Sequence, residues 1–234
     1  MKPEELKDAL AQLSIFLTGE QELQLKKYYE LLIEWNSFMN LTGITELEQV
    51  YLKHFYDSAI LLKEFDITSI KTLCDVGTGA GFPGLVLKII YPNIEITLVD
   101  SLEKRIKFLD HVIEELGLKK IATVHARAEE FACQNREQFD IVTARAVAHL
   151  SILSEICLPL VKVGGYFVPM KGNLELEKEE SKKAIKELSG VIEAEYSFTL
   201  PVEGSHRTIL KIKKVRVTDK KYPRKFSEIK KKPL

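Results

Sequence analysis

The stretch that most constrains this chain runs from Leu73 to Gly84, L-C-D-V-G-T-G-A-G-F-P-G, and reads as a buried strand breaking into a glycine-rich turn that opens a helix. Gly77, Gly79, Gly81 and Gly84 fall within eight residues. That is a costly choice, because glycine loses more backbone entropy on folding than any other residue. The turn therefore has to admit something that a Cβ would exclude. Pro83 lacks an N–H and has its φ preset, which suits the first helical position, and the helix continues through Leu85 to Ile90. Phe82 has no packing role that spacing explains. Asp100 closes the next apolar run, Ile94 to Val99. It lies about twenty residues beyond the glycines, the spacing at which an acid ending a second strand accepts hydrogen bonds from ribose hydroxyls. The pattern predicts an adenosine-containing ligand.

Register narrows that ligand. Gly79 to Gly84 satisfies G-x-G-x-x-G, but in hydride-transfer folds the first glycine follows the strand directly, and here the residues after Asp75-Val76 read G-x-G-x-G. An acid followed by G-x-G-x-G resembles motif I of the class I S-adenosylmethionine-dependent methyltransferases. Methionine has no pyrophosphate to seat on helix amides. Its amino group needs an acceptor, which Asp75 or nearby carbonyls would supply. An ordinary strand-to-helix turn needs neither four glycines nor a partner acid.

At 234 residues, 45% of them apolar, the chain suffices for one large α/β domain with an extension, at roughly 150 residues per domain. No run approaches the roughly 20 apolar residues of a membrane span, and Met1-Lys2-Pro3-Glu4-Glu5 has no signal-peptide pattern, so a cytoplasmic protein without membrane contact is expected. Cys74, Cys133 and Cys157 form no C-x-x-C, and two of them lie in apolar runs as small hydrophobes. No metal site is expected. The 34 basic and 34 acidic side chains balance, yet the last 29 residues, from His206, hold twelve Lys or Arg against Asp219 and Glu228. A basic end on an acidic body is the footprint of a polyanion contact rather than of a merely solvated tail. Tyr222 and Phe226 beside Arg224 and Lys225 point to RNA, where rings and guanidinium planes stack on unpaired bases.

Residues 1–66 read as a helical extension. Thr18 followed by Gln21 forms a capping box, Leu23, Leu31, Trp35 and Phe38 recur at helical spacing as a core stripe, and Asn40-Leu41-Thr42-Gly43 breaks the helix. An amphipathic segment from Leu47 to Phe65 then puts His54 and Asp57 one turn apart on one face. From residue 67 to 216, apolar runs alternate with helical ones, which predicts βαβ units and a mainly parallel sheet. Strands are expected at Thr72–Val76, Ile94–Val99, Ile121–His125, Phe139–Thr143, Gly165–Met170, Val191–Leu200 and Thr208–Lys213, the last two paired antiparallel at an edge. Helices are expected at Gly84–Tyr91, Glu103–Leu116, Leu150–Leu160 and Leu174–Leu188, and residues 217–234 as a basic tail. Ala128 and Glu129 follow the third strand, at the carboxyl edge where open α/β sheets bind ligands. Arg145 ends the fourth strand and Lys171 the fifth, and two cations beside a glycine loop predict a phosphate-bearing substrate.

The combination of N-L-T-G-I-T (Asn40 to Thr45), H-F-Y-D-S (His54 to Ser58), D-V-G-T-G-A-G-F-P-G (Asp75 to Gly84), D-S-L-x-K-R (Asp100 to Arg105), T-A-R-A (Thr143 to Ala146) and Y-P-R-K (Tyr222 to Lys225) closely resembles the RsmG, or GidB, family. The resemblance spans nearly the whole chain, except for the first thirty residues and Glu175 to Ser205. It implies a class I methyltransferase fold, an α/β seven-stranded Rossmann-like sheet with an N-terminal helical extension. It also implies S-adenosylmethionine as cofactor and methylation of N7 of a guanine in 16S rRNA of the small ribosomal subunit. Gly77, Phe82, Asp100, Ala128, Glu129 and Arg145 match the family's cofactor contacts, and Asp75, Gly79 and Gly81 belong to the same loop. Arg145, Lys171 and His54 are assigned the positioning of RNA, with no general base expected, because guanine N7 carries a free lone pair and no proton. The protein is expected to be a monomer.

A cytosine C5 enzyme would need a nucleophilic cysteine, and Cys157 inside a helix is poorly placed for that. An adenine N6 enzyme typically carries N/D-P-P-Y after the fourth strand, where this chain has Ala144-Arg145-Ala146-Val147. The alternatives are a nicotinamide oxidoreductase, for which no hydride-site constellation is found, and a non-catalytic RNA-binding module, which needs no glycine loop.

Overall fold

In the computed structural model residues 1–145, 148–172 and 174–234 are described. Ala146, which closes the T-A-R-A segment, and Val147 lie outside the described residues. Helix α1 (Pro3–Gln12) is followed by α2 (Gly19–Met39). Thr18 starts α2: its Oγ1 accepts from Gln21 N at 3.2 Å while Gln21 Oε1 accepts from Thr18 N at 2.8 Å. Asn40 stops it at φ 49°. The Leu47–Phe65 segment is a composite: α3 (Leu47–Val50), a π-helical turn (Tyr51–Tyr56), α4 (Asp57–Ala59) and a 3₁₀ turn (Ile60–Leu62). Widened turns of this kind often accompany functional sites.

The sheet comprises β1 (Thr72–Val76), β2 (Glu95–Asp100), β3 (Ile121–His125), β4 (Phe139–Arg145), β5 (Val161–Lys171), β6 (Gly190–Thr199) and β7 (His206–Lys214). Helices α5 (Gly84–Ile90), α6 (Glu103–Glu115), α7 (Ala128–Gln134), α8 (Leu150–Cys157) and α9 (Glu175–Glu187) follow β1 to β5 in turn. The strand order is β3-β2-β1-β4-β5-β7-β6, all parallel except β7, which runs antiparallel to both neighbours. The order reverses between β1 and β4, and ligands of open α/β sheets bind beyond the strand ends at such a point. β5 begins four residues earlier than the apolar run suggests, at Val161, because Gly164 at φ 89° carries the strand through an irregularity opposite Phe139 and Ile141.

The apolar stripe on α2 is only partly core. Leu31 is buried, but Leu23 and Phe38 are 69% and 66% exposed, and the face turned inward is Leu25, Tyr28 and Leu32. Two apolar clusters flank the sheet. One joins the N-terminal helices to α5 and α6, and the other joins α7, α8 and α9. Pro83 stands just ahead of α5 instead of opening it. The basic end is not a loose tail: it turns back across α7 and α8 and closes with α10 (Phe226–Lys231). Arg136 donates to the carbonyls of Thr218 and Tyr222, and Ile229 is fully buried. Among its cations Lys220, Lys225, Lys230, Lys231 and Lys232 are exposed.

Gly84 is a glycine because the sheet comes too close: a Cβ there would collide with Leu98 Cδ2 and approach Asp75 Oδ2 to 2.8 Å. Gly84→Ala is expected to lower stability by about 1–3 kcal/mol, measured as a lower urea midpoint at unchanged slope. An unaltered midpoint would show slack where this packing leaves none.

Candidate active site

A cavity of about 450 Å³ opens beyond the carboxyl ends of β1, β2 and β4. Its floor is the glycine turn from Gly77 to Ala80. Two buried carboxylates fix that turn. Asp75, at 0% exposure, accepts from Thr78 Oγ1 at 2.7 Å and Gly84 N at 2.8 Å through Oδ2. Burial pushes its carboxyl up to about 6. Its Oδ1 is buried with no hydrogen-bond partner among the described residues. Asp100 accepts from Gly79 N at 2.9 Å and Arg105 Nη1 at 3.1 Å through Oδ2, and from Leu102 N at 2.9 Å through Oδ1. A carboxylate offers about four acceptor positions. One therefore remains for a ligand hydroxyl, and a second opens only when Arg105 gives way.

Most backbone donors of the turn are spent inward, and only Ala80 N has no partner among the described residues. Gly77 N and Thr78 N donate to Val99 O at 2.8 and 3.1 Å, Gly79 N to Asp100, Gly81 N and Phe82 N to Thr78 O at 2.9 and 3.1 Å, and Gly84 N to Asp75. Among the described residues no donor engages the carbonyls of Gly77 and Gly79. A loop built for a pyrophosphate points its N–H groups at the ligand. This one turns all of them but Ala80 N away and leaves carbonyls unengaged, the acceptors that an ammonium group needs. Gly79, at φ 62°, lines the cavity and a Cβ there would meet no atom of the described residues beyond its chain neighbours within 4 Å, so a side chain would enter that space.

Phe82 clamps the turn to the N-terminal helices. It is buried, stacked on Tyr28 at 5.4 Å and on His54 at 4.2 Å, with the Arg145 guanidinium 5.0 Å from its ring centre. The Tyr28 hydroxyl donates to Ala80 O. Arg145 donates through Nη1 to Lys53 O at 3.2 Å, and its Nη2 lies 3.3 Å from His54 Nδ1. Nδ1 also lies 3.2 Å from Lys53 O, which only accepts, so the Arg145 and Lys53 contacts call for opposite tautomers, while Nε2 faces Thr42 Oγ1 at 3.0 Å. Burial first, then the Arg145 charge, lowers His54 to about 3. The imidazole is therefore neutral at pH 7.

The cavity collects most of the residues singled out in the sequence: Gly77, Gly79, Phe82 and Asp100 below, Ala128 and Glu129 on one side, Arg145 and His54 on the other. Asp75 and Gly81 do not line it and act by shaping the turn; a Cβ on Gly81 would strike Leu85 and the Tyr28 hydroxyl. Lys171 does not reach it either, because its ammonium is tied to Glu177. Asp57 is buried beneath, accepting from Arg207 Nε at 3.1 Å. Cys157 is fully buried and its thiol pushed up by burial, so it is no nucleophile. Sequence spacing gave no sign of Leu41, Arg105, Leu153, Ile156 or Phe226 as lining residues. Leu41 and Arg105 do fall inside the N-L-T-G-I-T and D-S-L-x-K-R segments.

The model of the family described as GidB, rRNA small subunit methyltransferase G, matches residues 21–207. A protein named ribosomal RNA small subunit methyltransferase G from Lysinibacillus sphaericus is 52% identical over 229 residues, 96% of each chain. One of the same name from Macrococcus caseolyticus is 55% identical over 220 residues, 93% of this chain and 92% of that one. Among solved structures, a SAM-dependent O-methyltransferase from Thermotoga maritima superposes with a TM-score of 0.54 at 18% identity, covering 80% of this chain and 73% of that one. TYW2 of M. jannaschii in complex with AdoMet gives 0.52 at 12% identity over 62% and 70%. The structural likenesses establish the class I methyltransferase fold. The match of the family model over most of the chain, with relatives above 50% identical along nearly all of it, makes this protein a member of the rRNA small subunit methyltransferase G family.

Proposed function

We propose that this protein transfers the methyl group of S-adenosylmethionine to N7 of a guanine in the 16S rRNA of the small ribosomal subunit. The observation that carries the cofactor reading is the inward turn of the loop's donors other than Ala80 N, beside carbonyls of Gly77 and Gly79 that no donor engages among the described residues, in a turn that lines the cavity. That arrangement suits an α-ammonium and disfavours the pyrophosphate of a nicotinamide dinucleotide. Asp100 would take a ribose hydroxyl, and Ala128 with Glu129 the adenine edge. When bound, S-adenosylmethionine supplies an electrophilic methyl on a sulfonium.

The chain's own task is then positioning and electrostatics. Guanine N7 has no proton to lose, and the neutral His54 is suited to a site where no base is needed. Methylation leaves the guanine cationic, so an uncharged imidazole beside it adds no repulsion. Arg145, on the same side as His54, would hold O6 or a phosphate of the RNA. Lys171, tied to Glu177, would act on RNA only from outside this cavity. The exposed Lys220, Lys225 and Lys230 to Lys232 would meet backbone phosphates. On this reading the protein acts as a monomer and meets its ribosomal substrate in the cytoplasm. Among the described residues no helix is long and apolar enough to cross a membrane.

The direct test supplies isotopically labelled S-adenosylmethionine with small subunits lacking this methylation, or with their deproteinised RNA, and analyses nucleoside digests by mass spectrometry. Label in 7-methylguanosine is expected, and label in any other nucleoside would overturn the reading. Gly79→Asp, whose φ an aspartate tolerates, is expected to lower S-adenosylhomocysteine affinity by on the order of 100-fold while leaving the ligand-free melting temperature near wild type. Calorimetric titration beside a melt checks both halves.

The depressed His54 gives a pH dependence with a definite sign. An unfolded histidine binds its proton near pH 6.5 and the native one only near 3. Between those values the unfolded state holds more protons, so stability falls as pH falls, by up to ~1.4 kcal/mol per pH unit. The raised Asp75, native value about 6, acts in the opposite sense from pH 6 down to its unfolded value of 3.8. His54→Gln is expected to flatten the acid-side loss in a series of melts from pH 6.5 to 4. An unchanged slope would mean that His54 is not held neutral.

A further inference from the structure

Phe226 stands far from the glycine turn in sequence, yet it lines the same cavity, on the side formed by Ala128, Glu129, Leu153 and Ile156. It is the one residue of the C-terminal segment that does so among the described residues. The fold invests heavily in putting it there. Glu155, on α8, is at 0% exposure, and Arg224 meets it as a fork: Nε to Oε1 at 2.8 Å, Nη2 to Oε2 at 2.6 Å, with Arg224 N to Oε1 at 3.0 Å. On the far side Ile229 is fully buried, and before the fork Arg136 holds the carbonyls of Thr218 and Tyr222. A buried ion pair adds little net stability compared with an apolar contact, because both charges are stripped of water. What a bidentate pair does supply is one fixed geometry. Here it fixes the position of Phe226, two residues on.

The surroundings of Phe226 define what it meets. Leu153, Ile156 and Ala128 give the wall an apolar surface, and Glu129 puts a carboxylate at its border. A flat heteroaromatic ring with exocyclic N–H donors on one edge fits that combination, and base–aromatic packing contributes about 1–3 kcal/mol per base. Asp100 lines the same cavity and accepts from Gly79 N of the turn, so a ribose hydroxyl on Asp100 would join a purine on this wall to an amino acid on the turn.

We propose that Phe226 is a cofactor-contacting residue that packs on the purine of S-adenosylmethionine, and that the Arg224–Glu155 fork is its positioning pair. The basic end is then a strap completing the cofactor site as well as a polyanion contact. This rests on the reading of the cavity as the S-adenosylmethionine site.

Calorimetric titration of wild type, Phe226→Ala, Phe226→Trp and Arg224→Lys with S-adenosylhomocysteine and with 5′-methylthioadenosine, which keeps the nucleoside and lacks the amino acid, tests it. Phe226→Ala is expected to weaken both ligands by the same factor, roughly ten- to a hundredfold, with a raised KM for S-adenosylmethionine and an unchanged kcat at saturation. Phe226→Trp restores the affinity. Arg224→Lys weakens both ligands in the wild-type background and adds nothing in the Phe226→Ala background, the non-additivity of residues acting as one unit. A ligand-free melt confirms that each variant is folded. Wild-type affinity in Phe226→Ala, or an additive Arg224→Lys effect, would overturn this inference alone. Failure of the wild-type protein to bind S-adenosylhomocysteine would overturn the cofactor reading and this inference with it.

Discussion

The structure depends on two carboxylates buried at the ends of neighbouring parallel strands. Asp75 on β1 and Asp100 on β2 each accept a backbone N–H from the glycine turn, at Gly84 and Gly79, so the turn is pinned from below at two points. A buried carboxylate is costly unless it is hydrogen-bonded. Satisfying it with loop amides makes the conformation of the turn a condition of folding. The amides of Gly77, Thr78, Gly81 and Phe82 go to Val99 O and Thr78 O, and only Ala80 N has no partner among the described residues. The loop therefore reaches the cavity with all but one of its donors occupied, which narrows the class of ligand it can hold.

The second dependence runs through aromatic contacts between chain regions far apart in sequence. Tyr28 from α2, His54 from the π-helical turn and Phe82 from the glycine turn form one stack, with Arg145 from the end of β4 against it. Rings packed in this way contribute beyond the area they bury. The N-terminal helices are thus part of the site: Leu41, Thr42 and His54 line the cavity, and Tyr28 bonds the turn itself. The same stack removes His54 from water and puts Arg145 beside it, which keeps the imidazole neutral. Packing and protonation state have one cause.

The central sheet was legible because buried parallel strands are short, nearly continuous apolar runs bounded by turn residues. β1 and β3 fall on the expected residues and β2 within one. The glycine turn and Asp100 were legible because backbone constraints leave a compositional trace. Side-chain direction was not. On α2 two apolar faces compete, and only the docking against α5 and α6 decides that Leu25, Tyr28 and Leu32 turn inward while Leu23 and Phe38 stay outside. Lys171 ends a strand at the cavity edge, but Glu177 six residues later draws it away. The basic end read as a polyanion-binding tail because charge dominates its composition, and that composition did not show how it packs on the body. Its anchors are scattered single residues, among them the fork from Arg224 to Glu155, the Arg136 bonds to the carbonyls of Thr218 and Tyr222, and the buried Ile229, and they leave no periodic pattern.

The measurement that bears most directly on this account is a crystal structure with S-adenosylhomocysteine bound. The account requires the ligand's amino group on the carbonyls of Gly77 or Gly79, a ribose hydroxyl on Asp100, and the loop amides still bonded inward to Val99 O, Thr78 O and the two carboxylates. A ligand bound to loop N–H groups that have turned outward, or one seated away from the glycine turn, would contradict it.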